Sequence, residues 1–443
     1  MKIQLSDHFT YQRLLHFCLP SIVMMIFTSI YGVVDGLFVS NFVGKIPFAA
    51  INLVMPFIMI LGGFGFMIGT GGSALIAKTL GEGRHKLANR YFSMLIIMTV
   101  ILGFFLTTIG IVFARRVSIL LGATDVMLDD CVVYLRTVLL FISPFMLQNV
   151  FQSFLVTAQK PHAGLIVTII AGLTNMSLDA LFIVVFRWGV AGAALATGIS
   201  QCIGGLLPLI LFLGKNDSLL HLVPTRLEWR PFFLSCTNGM SELMGNISSS
   251  IVSMLYNFQL LNYAGENGIA AYGVLMYVQF IFIAVFFGYT IGVGPVIGYH
   301  YGAGNHAELK NLLRKSLKLN IITGISMTIL ANLFAGALSR IFVGYDPELY
   351  AMTKSAFHIF ALSFLVCGIN IFASAFFTAL NNGLVSAVIS FLRTLVFQVG
   401  SVLILPAFLG LTGIWLSNTF ADLMAMLISI IFLAAMRKQY HYA

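Results

Sequence analysis

The chain has 443 residues, of which 59% are hydrophobic and 9% charged, against roughly 45–50% and about 25% in soluble proteins. So little polar surface cannot cover a soluble globule of this length, and a mean hydropathy of +0.98 points the same way, to an integral membrane protein. The formal charge of +9 has almost no polar face to sit on, which argues against a nucleic-acid partner and leaves the membrane to explain it.

Taken in chain order, twelve apolar runs are long enough to span a bilayer, which takes about 20 residues. They cover 14–39, 47–77, 91–114, 131–157, 162–186, 189–213, 231–261, 269–300, 316–339, 351–379, 384–408 and 411–436. None alternates with period two, so a β-barrel is excluded and an all-α polytopic membrane protein is expected. The first run is too long for a signal-peptide core and lacks a convincing cleavage site, so it is expected to be a retained helix. Cys18, Cys131, Cys202, Cys236 and Cys367 are scattered, without CxxC spacing, and read as small hydrophobes.

Lysine and arginine placement orients the spans. With the N-terminus in the cytoplasm, sixteen fall in inner loops and tails and six in outer loops. Both termini are therefore expected in the cytoplasm of a multi-pass inner-membrane protein, and the basic charge records topology.

Sliding the chain against itself by 221 residues aligns four separate regions. Gly44, Ala49, Ala50 and Met55 fall on Gly265, Ala270, Ala271 and Met276. Gly81, Gly83 and His85 fall on Gly302, Gly304 and His306. Ala158 falls on Ala379, and Gly189, Gly192 and Leu195 fall on Gly410, Gly413 and Leu416. The reading is two pseudo-symmetric six-helix lobes, 1–214 and 231–443, joined by a cytoplasmic linker at 215–230 marked by prolines at Pro224 and Pro231. Six spans per lobe is even, so the lobes enter from the same side and are related by an axis along the membrane normal. That is a transporter arrangement, with a substrate site between rocking lobes.

Six ionisable residues remain within the spans: Asp35, Arg136, Asp179, Glu242, Arg393 and Asp422. Each is costly at membrane depth and so a functional candidate. Arg136 lies near a helix end, from which it can snorkel. Arg393 and Asp422 fit a structural ion pair between the last two helices, with a substrate or secondary coupling role as the other reading, shared with Glu242. At about 1.5 Å per residue, Asp35 and Asp179 lie about 32 Å and 26 Å along their helices, both in the outer half of the first lobe. Asp179 lies nine residues before the turn at Trp188 and Thr197 nine after it, so the two are level, and Asn175 sits one turn below Asp179 on the same face. Two carboxylates, an amide and a hydroxyl make an all-oxygen site suited to a sodium ion or a proton. Pro20 in the first helix and the glycines of the sixth would help bending.

Other motifs carry less. GTGGSA at 69–74 lies in an apolar helix with no strand before it, so it is not a dinucleotide fingerprint. Small-residue spacing at Gly65/Gly69 and Gly294/Gly298/Gly302 reads as close helix packing. No Walker, HExxH or GxSxG sequence is present, and VVDGL and SLDAL do not resemble intramembrane aspartyl protease motifs, so no enzyme is expected.

NMSLDALFI at 175–183, WGVAGAALAT at 188–197, the loops LGEGRHKLAN and YGAGNHAELK, CTNGMSE at 236–242 and GIWLSNTFADLM at 413–424 resemble multidrug and toxic compound extrusion (MATE) transporters over the whole chain. The resemblance implies cation-coupled export of amphiphilic, often cationic compounds. It also implies a first-lobe site of Asp35, Asn175, Asp179 and Thr197, holding sodium if sodium drives the exchange. Branches that rely on the second lobe use an acid in helix ten, and none lies between Ala351 and Ala379. No cofactor beyond the coupling ion is expected, membrane lipid and small molecules are the partners, and a monomer is expected. The alternative from the same superfamily is a flippase of lipid-linked sugars, which would line its cavity with basic residues.

Overall fold

The computed structural model describes residues 3–214 and 217–442; Lys215 of the expected linker lies outside them. The described residues fold into helices, with no strand among them. The first lobe comprises α1 (Tyr11–Phe42), α2 (Lys45–Gly81), α3 (His85–Leu120), α4 (Asp125–Leu139), α5 (Ile142–Thr157), α6 (Pro161–Asp179) and α7 (Gly189–Leu213). The second comprises α8 (Trp229–Asn238), α9 (Met240–Gly302), α10 (His306–Val343), α11 (Pro347–Phe360), α12 (Phe364–Ala379), α13 (Gly383–Phe391), α14 (Gln398–Leu409) and α15 (Leu411–Ala435), followed by the short α16 (Arg437–Tyr440).

Helix breaks explain how sixteen helices make twelve spans. The fourth expected span divides into α4 and α5, bent by 57°, because Pro144 cannot donate to the carbonyl of Leu140 and its ring crowds it. The 63 residues of α9 would reach about 95 Å as one helix, three membrane thicknesses. Gly265, at φ 61° and ψ −151°, breaks it into two spans, a conformation only glycine adopts readily. Similarly α8 and the first half of α9 share one span across Gly239, and a 3₁₀ turn at Ala361–Ser363 joins α11 to α12. Two π-helical segments follow embedded charge: Ala180–Val185 directly after Asp179, and Leu392–Phe397, which contains Arg393. Such wide turns frequently mark functional sites. α1 runs unbroken through Pro20, which is buried.

Both chain ends lie at the end of the molecule that carries the long basic loops. Leu5 and Phe9 ahead of α1 pack in one apolar cluster with Tyr440 and Tyr442. Glu308 anchors the leading segment: its carboxylate accepts from Phe9 N at 2.9 Å and Asn311 Nδ2 at 2.8 Å, and meets His8 Nδ1 at 2.6 Å. Lys315 Nζ donates to the Phe9 carbonyl at 2.6 Å. Residues ahead of α8 lie along the start of α3, with His221 N donating to Asn89 Oδ1 and Val223 N to Ser93 Oγ.

The lobes meet through α1 and α2 against α8 and α9. At the basic end the crossing is reciprocal: a Cβ on Gly81 would strike the Tyr299 carbonyl and lie 2.8 Å from Ala303 N, and one on Gly302 would strike the Lys78 carbonyl. Gly81 and Gly302 are the residues that the 221-residue offset equates, as are Lys78 and Tyr299, so the repeat is visible as a backbone-to-backbone seal. Deeper in, Gly71 packs on Ser235 and Gly239, and Gly292 on Cys18. Gly65 and Gly69 lie against the α5 backbone, as their spacing predicts, and Gly298 lies against α2 and Ala379, whereas Gly294 meets nothing and faces a cavity. All five cysteines are unpaired thiols.

Candidate functional site

The four first-lobe residues named from sequence converge. Asp35 on α1 and Asp179 at the end of α6 bring their carboxyl groups next to each other, with Asn175 beside Asp35. Asp179 and Asn175 are 0% and 2% exposed. The buried oxygens Asp35 Oδ1, Asn175 Oδ1, both carboxylate oxygens of Asp179 and Thr197 Oγ1 have no hydrogen-bond partner. Local sequence explains the meeting. Asn175 and Asp179 share a face of α6 by i, i+4 spacing. A tight turn, with Arg187 at φ 55° and Gly189 at φ 57°, returns the chain so that Thr197 on α7 comes level with them.

Sequence reasoning missed Tyr134 on α4, which is 1% exposed and lies close to Asp35, Asp179 and Thr197. Nothing in its surroundings, CVVYLRT, singles it out. It also missed Tyr31, one turn from Asp35, whose ring lies near the Gln148 side chain without a hydrogen bond to its Oε1. The i, i+4 relation to an embedded acid was the available signal.

Two adjoining carboxylates in an apolar lobe cannot both stay charged without something positive between them. The oxygens around them offer acceptors to a proton or an alkali cation. The four residues bring oxygens and no thiol or imidazole, and no group of three His, Cys, Asp or Glu that could hold a metal ion occurs among the described residues, so the donor set suits a hard monovalent ion better than a transition metal.

Glu242 lies elsewhere. It lines a cavity of about 210 Å³ between the lobes, together with Asn246, Ser29, Thr70, Phe280 and Thr290. Glu242 is the one ionisable side chain in that lining, and no described Lys, Arg or His pairs with its carboxylate. Asp422 and Arg393 belong to neither place. Arg393 Nε donates to Asp422 Oδ1 at 2.7 Å, and Asn370 Nδ2 donates to the Asp422 carbonyl at 2.8 Å. With side chains 17% and 4% exposed, they form an ion pair between the last two spans. Arg136 is exposed on α4.

Comparison with known proteins agrees with this architecture. The chain is similar to the multidrug export protein MepA of Staphylococcus haemolyticus, at 24% identity over 97% of this chain and 94% of that protein. It is also similar to MepA of Staphylococcus saprophyticus, at 26% over 94% and 93%. Its fold superposes on a MATE crystal structure in complex with MaL6 with a TM-score of 0.93, at 21% identity and 98% coverage of both chains. A MOP superfamily transporter from Pyrococcus furiosus, whose binding pocket has reversed polarity, superposes with a TM-score of 0.90 at 21% identity. The MatE family model matches twice, at residues 20–181 and again at 243–404, once in each half of the chain. With most of its length matched in the order the repeat requires, the chain belongs to the MatE family of transporters.

Proposed function

We propose that the chain is a cation-coupled antiporter that exports amphiphilic cations across the cytoplasmic membrane by alternating access, with both termini in the cytoplasm. The observation that carries this reading is the convergence of Asp35, Asn175, Asp179 and Thr197 on buried oxygens without partners, in one lobe and apart from the cavity that holds Glu242. The MepA relatives, named as multidrug export proteins, support drugs or toxic compounds as substrates.

The coupling ion, sodium or a proton, enters from outside and settles between the two carboxyl groups. Their repulsion is relieved, α1 repacks against α6, and substrate held between the lobes is released outward. The ion then leaves inward when the lobes rock. Substrate selection is loose: the cavity wall is mostly apolar, Met25, Phe66, Phe280 and Phe287 among it, and a lone carboxylate attracts positive charge without imposing a shape. A flippase of lipid-linked sugars needs cationic groups for pyrophosphate, and the lining residues include none.

The test is efflux of a cationic dye from proteoliposomes under separately imposed sodium and proton gradients. One gradient is expected to drive uphill dye movement in the native chain and to fail in Asp35→Asn and Asp179→Asn. Full cation-driven transport in both variants would sink the proposal. Dye movement without saturable exchange would indicate a channel.

A further inference from the structure

The helices around the acid pair each carry a second polar residue one turn nearer the basic end: Tyr31 below Asp35, Asn175 below Asp179, Gln201 below Thr197. α5 adds Gln148 near that level and Gln152 a turn further on. Small residues make room for them. A Cβ on Gly204 of α7 would lie 2.6 Å from Gln148 Cδ, and one on Gly172 of α6 would lie 2.9 Å from Tyr31 Cδ1.

Gln148, Gln152 and Gln201 are 6%, 4% and 7% exposed, yet the Oε1 of each lacks a donor. A buried acceptor left unpaired costs about 1–3 kcal/mol. Amides that only tied helices together would have their oxygens paired, and leucine would fill the same space without that cost. The spacing suggests what pairs them. Successive side chains on a face are about 5.4 Å apart, a gap that one water bonded at about 2.8 Å to either side bridges. Polar buried sites of this kind hold ordered water, whereas apolar ones stay dry. Beside its lower end lies the space between the lobes: Ser153, next in the chain after Gln152, lines the cavity with Ser73, whose Oγ is 2.7 Å from Thr157 Oγ1.

We propose that Gln148, Gln152 and Gln201, with Tyr31 and Asn175, form a water-filled passage through which the coupling cation leaves the acid pair for the inter-lobe cavity, so that ion and substrate share one inward mouth. This rests on the acid pair being the coupling site. Neutral oxygens suit a passage: they replace part of an ion's hydration shell without holding it as a third carboxylate would.

The experiment uses the full chain in native membranes, with its five cysteines replaced by serine and a single thiol introduced by Gln148→Cys, Gln152→Cys or Gln201→Cys. The probe is Ag⁺, similar to sodium in size. Reaction is expected at all three positions at least tenfold faster than at Val150→Cys, a fully buried position on α5, or Leu173→Cys, on the outer face of α6. Rates equal to those controls would overturn the passage. Each thiol variant is first shown to export dye. A second measurement covers any that do not: Gln152→Leu is expected to slow cation-driven exchange about tenfold while leaving dye affinity within twofold, with rescue by Gln152→Asn. Unaltered exchange in Gln152→Leu would also overturn it. If the thiols react but Asp35→Asn keeps full coupling, it is the coupling site that fails; if Asp35→Asn loses coupling and the thiols are inert, it is the passage.

Discussion

Substituting alanine for Gly81 tests the seal between the lobes. The new Cβ would strike the Tyr299 carbonyl oxygen and stand 2.8 Å from Ala303 N, and in Gly302→Ala it would strike the Lys78 carbonyl oxygen and stand 2.8 Å from Lys78 C. Carbon and carbonyl oxygen settle at about 3.3–3.6 Å, so relieving the clash with the carbonyl oxygen requires α2 and α9 to part by roughly 1 Å or more. The obstructing atoms are backbone and cannot rotate aside. Overpacking of this kind costs about 1–3 kcal/mol, and only the state in which the basic ends touch bears it. The ratio of closed to open basic ends is therefore expected to fall about 5- to 150-fold. Spin labels on Lys86→Cys and Ala307→Cys, exposed positions just beyond the two glycines, would report the change as a longer distance by pulsed electron resonance. Gly36→Ala is the control, since a Cβ there meets nothing within 4 Å. Distance distributions for Gly81→Ala and Gly302→Ala that match the native protein would refute the reasoning. The two substitutions touch the same crossing, so their effects are not expected to add.

Arg393→Met leaves Asp422 buried without its cation and is expected to destabilise the second lobe by about 3–5 kcal/mol, whereas Arg393→Met combined with Asp422→Leu recovers most of it; thermal unfolding in detergent decides, and equal losses would contradict a structural pair. Glu242→Gln removes the one charge lining the cavity and is expected to weaken a cationic dye about 10- to 150-fold, the worth of a charge-assisted contact of about 1.5–3 kcal/mol, while a neutral amphiphile binds within twofold. Equal losses for both ligands, measured by fluorescence titration, would show that the carboxylate only shapes the wall. Glu308→Ala releases the segment before α1, so the Phe9 amide is expected to exchange with deuterium at least about tenfold faster, and unchanged protection would mean that burial of Leu5 and Phe9 alone holds it.

Much of this molecule was legible because a membrane enforces simple rules. Apolar run length set the spans, the one-helix return at Trp188 fixed the level of Thr197 against Asp179, and i, i+4 spacing put Asn175 beneath Asp179. These are local relations, and a helix transmits them without help from the rest of the fold. The Arg393–Asp422 pair was legible for a related reason, since opposite charges in adjoining hairpin helices have few other partners at that depth. What the sequence could not decide was where helices break and which faces meet. Pro144 splits one span and Gly265 divides α9, while Pro20 passes through α1 unbroken, because a proline's effect depends on whether neighbours accommodate the lost hydrogen bond. Glu242 and Asp179 look alike as embedded acids, yet only packing of the lobes puts one in a shared cavity and the other against Asp35. Tyr134, Gln148 and Gln201 were hidden for the same reason: each is an ordinary polar residue in its own helix, and its significance comes from the oxygens that three or four other helices bring beside it.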